Sequence, residues 1–534
     1  MKKLFYLAIV TLVFCWIACK TEEKKRAPVI QDTTINTQTS FNNLFLDSTT
    51  ITNFLKTYPR LDSFRAQFFD FYKQRNYEYA WFDTSGLSEQ SHNFMNLLSN
   101  SIYELQDSSL YNAELQKTFQ AFVDDTLHHQ NRDALLKAEL MLTGQFFTYA
   151  AKVYKGLDVD AAELGWFIPR KKVNLTAVLD SVISNKSKTS DDYAPLNSQY
   201  KKLQGMLSKY LDIQKNYTWD TIAWPAKLLH KKDSSAIIPP IKERLFAFGD
   251  LEEQDSSARF DTSLFKAVKR FQHRFGLSED GVIGKAFVQE LNIPVSERLK
   301  QILINLERLR WVPEQTDSVY ILVNIPEYRL HVYKDSALYH SMRVIVGSAA
   351  NSTVVFNGKL KYIVFSPYWN VPVSIVKKEI MPGIKKDPNY IARHNMEITS
   401  YSAGIPNVRQ KPGTDNSLGL VKFLFPNSYD IYLHDTPNRD LFSQSSRSLS
   451  HGCIRLGEPA WMAKFLLRSD TTYTDQKIDS LMHLPKEKWI TIDPTVPVFI
   501  GYFTAWVDKD GLLNFRKDIY GHDAKMAEKL FAKQ

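Results

Sequence analysis

The residues best suited to covalent chemistry stand together at Ser450-His451-Gly452-Cys453-Ile454-Arg455. A thiol lies between a glycine and an arginine, with one histidine two residues before it. A second histidine, His434, lies 19 residues upstream at the end of a strand-like run. The other two of the three cysteines, Cys15 and Cys19, belong to an N-terminal apolar segment. A lone cysteine with histidines in reach is a candidate nucleophile rather than half of a disulfide. A thiol attacking an amide or ester needs a base, a stabilised oxyanion and a proton for the leaving amine. His434 exchanges protons near neutral pH, and its separation from Cys453 suits adjacent strands. Gly452 permits close backbone approach, so the amides of Gly452 and Cys453 can face an oxyanion. Arg455 adds positive charge that favours thiolate. Its guanidinium suits a substrate carboxylate, or else an ion pair at the edge of the core. A zinc site from His434, His451 and Cys453 lacks the acidic partner and the short ligand spacing such sites use. No metal or cofactor is expected.

Strands must present these residues. From Ser318 the hydrophobic period turns toward two. Val319–Val323, Arg329–Tyr333, Ala337–Tyr339, Ser341–Val346, Lys361–Phe365 and Trp489–Ile492 read as strands, and Val421–Phe425 with Tyr429–Leu433 as a hairpin. A helix, Pro459–Leu467, follows the cysteine. Short strands with turns between them predict a mostly β, sandwich or barrel-like domain over 318–497. Between about 376 and 419 the pattern breaks at Pro382, Gly383, Pro388, Pro406 and Pro412, with no clear strands. Such a stretch is expected to be a lid inserted over the site. Residues 498–534 are left as a C-terminal extension.

At 534 residues, 44% of them hydrophobic, the chain suits three to four globular domains. Its formal charge of +9 falls to +7 without Lys2 and Lys3 and is spread along the chain, which argues against nucleic acid. Residues 1–19 read as a signal peptide: charged Lys2 and Lys3, then an apolar run short for a membrane span. Residues 20–41, rich in Thr, Gln and Lys, predict a flexible tether. Residues 42–232 read as a helical scaffold, with Phe64, Phe68, Phe69 and Tyr72 at helical spacing. Residues 233–293 place Phe265, Val268, Phe271 and Phe275 on one helical face before the turn-forming glycines Gly276, Gly281 and Gly284. Residues 294–317 hold a connecting helix, Ser296–Arg310, with Ser296 as a candidate cap. The whole reads as a multidomain α+β chain.

Several stretches resemble known families. Trp16-Ile17-Ala18-Cys19 resembles the lipobox of bacterial lipoproteins, with Trp16 where leucine is usual. That resemblance implies acylation of Cys19 and a membrane anchor. Lys20 stands where an aspartate marks inner-membrane retention in some bacteria, which favours the outer membrane. Without that resemblance the segment is an ordinary signal peptide or an uncleaved anchor, and either way the protein leaves the cytoplasm. Ala267–Gln272, Gly276-Leu277 and Asp280–Gly284 resemble a small three-helix peptidoglycan-binding domain. Tyr77–Phe82 is similar to the scaffold of large L,D-transpeptidases. His434 with Ser450–Arg455 resembles the catalytic signature of that family (YkuD type). Val323–Pro326, Trp369–Pro372 and Tyr432–Pro437 resemble its large multidomain branch. The resemblance implies that Cys453 attacks the third residue of a tetrapeptide stem, with His434 as base and acid. A thioester would then pass to the side-chain amine of another stem, giving a 3→3 cross-link. It further implies that the Asp435 carbonyl orients His434 and that His451 supports the oxyanion region. Ser450, Tyr368 and Trp369 would meet substrate. The implied partners are stem peptides, glycan and a membrane. Two alternatives stand beside it: an L,D-carboxypeptidase using water as acceptor, and a non-catalytic lipoprotein that tethers membrane to wall.

Overall fold

A computed structural model describes residues 44–532 apart from 84–85, 106–107, 125–130, 158, 169–172, 184–197 and 313–316. The signal-peptide segment, Cys19 and the tether lie outside the described residues. No helix among those described is long and apolar enough to cross a membrane.

The chain divides into two compact units. The first is helical and gathers the described residues among those up to 98, 109–149 and 174–183. Phe68, Phe71 and Phe147 fill its core with tilted and edge-to-face ring contacts. Its centre also carries a buried carboxylate that helical periodicity did not reveal. Glu139 accepts from the amides of Ala80 (2.7 Å) and Trp81 (3.0 Å) and from the Tyr72 hydroxyl (2.8 Å). Burial raises its pKa to about 7. The Tyr77–Phe82 stretch is thus pinned from below by a polar anchor.

The second unit holds the described residues among 99–108, 150–173 and 198–532. The structure departs here from the division drawn on the sequence. Helix Ser198–Asn216, assigned to the scaffold, packs in this unit with the three helices Ile238–Phe248, Thr262–Arg274 and Lys285–Leu291. One continuous core joins Leu203, Phe271, Ile302, Leu330, Ile363 and Ile500. Residues 233–293 therefore share their core with the strands. The connecting helix runs Val295–Trp311 and is not capped by Ser296, which lies inside its first turn after Pro294. It is buried on more than one side. Arg308 pairs with Asp523 at 2.6 Å, and Asn305 exchanges hydrogen bonds with Thr504.

The strands in chain order are β1 (Val319–Asn324), β2 (Arg329–Lys334), β3 (Ala337–Gly347) and β4 (Phe356–Phe365). There follow β5 (Trp369–Asn370), β6 (Met396–Ser402), β7 (Ile405–Gln410), β8 (Val421–Leu424), β9 (Leu433–His434), β10 (Ser448–Ser450), β11 (Ile454–Leu456) and β12 (Lys488–Gly501). Nine of them form one sheet in the order β10-β3-β11-β9-β8-β4-β12-β1-β2, and β2 also pairs with β3, so the ladder closes on itself. The boundary at 497 cuts through β12, whose last residues pair in parallel with β1. Beyond it, Tyr502, Phe515 and Met526 enter the same core, so 498–534 completes the unit rather than extending it.

Residues 369–419 are also more regular than the proline-broken pattern suggested. β5, β7 and β6 make a three-stranded sheet, and Val371, Val376, Ile380, Met396 and Val408 form a small core of their own. Pro406 sits within β7 and Pro382 in the first turn of a short helix, positions that tolerate a missing N–H.

The ion pair Arg274–Asp250 is 2.6 Å long with both side chains nearly inaccessible. Arg274→Met leaves Asp250 buried and unpaired, so urea unfolding should show a loss of about 3–5 kcal/mol.

Candidate active site

The site is built by two short strands lying side by side. β9 and β11 pair in parallel with Leu433 opposite Ile454 and His434 opposite Arg455. Leu433 and Ile454 are fully buried in the core. Alternation then sends Tyr432, His434, Cys453 and Arg455 to the other face. Sequence reading chose Cys453 and His434, and the structure brings both to this face.

His434 is buried, and its Nδ1 donates to the carbonyl of Asp435. That bond assigns the ring proton to Nδ1 and leaves Nε2 as the basic nitrogen. Burial, then the neighbouring Arg455 charge, lower its pKa to about 3, against the pull of the Asp435 and Leu418 carbonyls. The imidazole is therefore neutral near pH 7. Burial also pushes the Cys453 thiol above its ordinary value, with hydrogen bonds to Tyr432 and the Arg455 charge opposing. Sγ donates to the Asp430 carbonyl at 3.6 Å. The resting pair is thus a thiol and a neutral imidazole, not an ion pair.

The Asp435 side chain has a separate task. Its carboxylate accepts from the Leu420 amide (2.9 Å) and from Arg439 (3.0 Å). Gly419 lies against it at φ 63°, where a Cβ would overlap the carboxyl group. This packing fixes the peptide whose carbonyl holds His434.

The turn before the thiol is held by groups the sequence did not single out. Gly452 adopts φ 115°, which glycine alone tolerates well. Its amide donates to Ser450 Oγ (3.1 Å) and its carbonyl accepts from Thr353 Oγ (2.8 Å). Ser450 Oγ also donates to the Cys453 carbonyl at 2.5 Å. Ser450 thus braces the turn, and the Gly452 amide is occupied. The Cys453 amide has no hydrogen-bond partner among the described residues. Tyr520 donates to the Gly347 carbonyl beside Thr353, so the last segment of the chain supports the turn. Tyr432 was legible from its two-residue offset from His434. Thr353 and Tyr520 carried no sequence signal, because only the fold brings them near.

The remaining chosen residues fall in three places. Arg455 lies beside the thiol, and its buried Nε has no hydrogen-bond partner, so the ion-pair alternative is not what the structure presents. His451 is 60% exposed, with Nε2 3.9 Å from Glu379 of the 369–419 segment, so its ring does not brace the backbone at Cys453. Tyr368 lies under the Arg409 guanidinium (4.2 Å), and Trp369 packs on the small core of that segment. Neither ring contacts Cys453 or His434. Among the described residues no cluster of His, Cys, Asp and Glu is placed to hold a metal ion.

Residues 318–479 match the family model of the L,D-transpeptidase catalytic domain, 66–207 that of a scaffold domain, and 236–291 that of a "putative peptidoglycan binding domain". A curated relative from Haemophilus influenzae, described as "Putative L,D-transpeptidase", is 35% identical over 253 residues, 44% of this chain and 51% of its own length. The chain thus spans about half the length of that relative. Among solved structures, an L,D-transpeptidase from Stackebrandtia nassauensis is 16% identical over 52% of this chain and 98% of its own, with a TM-score of 0.21. One from Mycobacterium smegmatis is 13% identical over 34% and 58%, with a TM-score of 0.20. The sequence matches identify an L,D-transpeptidase catalytic domain of the YkuD type at residues 318–479, beside stretches that match a scaffold domain and a peptidoglycan-binding domain.

Two outcomes follow from the resting charge state. The rate of Cys453 alkylation by iodoacetamide should keep rising past pH 9, and a plateau near neutrality would reveal a thiolate–imidazolium pair instead. The folded pKa of His434 lies below its ordinary 6.5, so the unfolded chain takes up the proton first. The stability this contributes is present above pH 6.5 and is lost as pH falls toward 3, by up to roughly 5 kcal/mol. Denaturant midpoints should therefore fall more steeply with acid in the natural protein than in His434→Gln.

Proposed function

We propose that this protein is an exported cysteine L,D-transpeptidase that makes 3→3 cross-links between peptidoglycan stems. The observation that carries this reading is the placement of Cys453 and His434 on one face of adjacent parallel strands, inside the matched catalytic domain. His434 Nε2 takes the thiol proton as Sγ attacks the carbonyl of the third stem residue. The Cys453 amide, free of other partners, is the candidate donor to the oxyanion. The Sγ–C bond forms, the C–N bond to terminal D-alanine breaks, and His434 delivers the proton to the leaving amine. A side-chain amine from a second stem then attacks the thioester. Its surplus proton returns through His434 as Sγ leaves. Arg455, with its unpartnered nitrogen, suits a stem carboxylate.

The other domains fit the same task. The peptidoglycan-binding match supports glycan as a partner. The apolar start and the Cys19 lipobox resemblance support export and a lipid anchor in the periplasm. The 369–419 segment has its own small core and faces His451 through Glu379, which supports a lid role.

Incubation with tetrapeptide stems should give an acyl adduct on Cys453 by mass spectrometry, released D-alanine and dimeric products. Cys453→Ala should lose all three. Tripeptide without dimers would point to a carboxypeptidase, and identical products from Cys453→Ala would refute a cysteine mechanism.

A further inference from the structure

A second cation stands beside His434, on the side away from Cys453. In the β8–β9 pair Lys422 lies directly opposite His434, and in the β8–β4 pair it lies opposite Val364. Val364 in turn faces Trp489 on β12. One row across the sheet therefore reads Arg455, His434, Lys422, Val364, Trp489, all on the face that carries the thiol. Neighbouring strands are about 4.8 Å apart, so His434 stands in this row between the positions of Arg455 and Lys422.

Lys422 is half-buried, and among the described residues it has no carboxylate within ion-pair distance. Its ammonium rests 5.8 Å from the Trp489 ring centre. The nearest acid acting on it, Glu487, is engaged elsewhere: its two oxygens accept from the Trp489 indole N–H (3.1 Å) and the Tyr368 amide (3.4 Å). Burial lowers the Lys422 pKa, with Glu487 opposing. A half-buried ammonium without a counter-ion costs stability, so its retention here favours a charge that arrives with a ligand. It also adds to the field that keeps the His434 ring neutral.

The order of groups identifies that charge. With the attacked carbonyl at Cys453 and the leaving nitrogen at His434, the next polar group of the leaving residue lies further along the same direction. In a single amino acid that group is the carboxylate, two bonds from the nitrogen. In a longer leaving peptide an uncharged amide would stand there. We propose that Lys422 binds the terminal carboxylate of the donor stem and so restricts the leaving group to one amino acid with a free acid. Lys422 is then a specificity-determining residue. This inference rests on the transpeptidase reading above.

The test compares two donor stems with the full chain: the tetrapeptide with its free terminal acid and the same peptide as a terminal amide. Acyl-Cys453 formation and release of D-alanine or its amide give kcat/KM for each. The natural protein should prefer the free acid by about 10- to 100-fold, the range for a hydrogen bond between charged partners. In Lys422→Met that ratio should collapse toward one, and in Lys422→Arg most of it should return. If Lys422 only props its strand, Lys422→Met slows both stems alike and the ratio stays, which overturns the inference. No preference in the natural protein overturns it without any substitution. A natural protein that forms no Cys453 adduct with either stem refutes the transpeptidase reading, and the carboxylate role falls with it.

Discussion

The chemistry of this protein depends on a parallel pairing only two residues long. Leu433 against Ile454 puts two apolar side chains into the core, and that burial sets the register of β9 and β11. A slip by one residue would send His434 inward, away from the face that carries the thiol. The hydrophobic core thus chooses which face carries the nucleophile. The Asp435 carbonyl then chooses which imidazole nitrogen is free.

Around this pair the polar groups divide into two kinds. Asp435, Ser450 and Thr353 are satisfied by fixed partners and hold backbone in place. Arg455 and Lys422 keep donors unspent, and they flank the imidazole. Such an arrangement favours a neutral His434 at rest and leaves positive charge beside it. The thiol, raised by burial and turned to Asp430, is inert until something moves it.

Much of this was legible in the sequence. Cys453 and His434 were found from residue type and spacing, because a glycine-bracketed lone thiol has few other uses. Tyr432 and Arg455 follow from period two. His451 was assigned on the family resemblance and the Gly452 amide by adjacency; in the structure the turn leaves the His451 ring exposed and the Gly452 N–H donates to Ser450. Trp369 and Tyr368 were chosen on the family resemblance; in the structure they touch Arg409 and the small core of the 369–419 segment. The strand at Lys488–Gly501 was read short because Pro494 and Pro497 interrupt its pattern, although β12 bears them across an irregularity in its register. Thr353 and Tyr520, 100 and 67 residues from Cys453, were beyond any local pattern. The core that helices and strands share in the second unit was not legible, because it joins residues far apart in the chain.

The central claim is that His434 rests as a neutral ring protonated at Nδ1, with Nε2 free for the thiol. Nitrogen-15 NMR of histidine-labelled protein at pH 7, assigned by comparison with His434→Gln, reads this directly. The account predicts one protonated-type shift at Nδ1 and one bare-nitrogen shift at Nε2. Two protonated-type shifts, or the opposite tautomer, would contradict it.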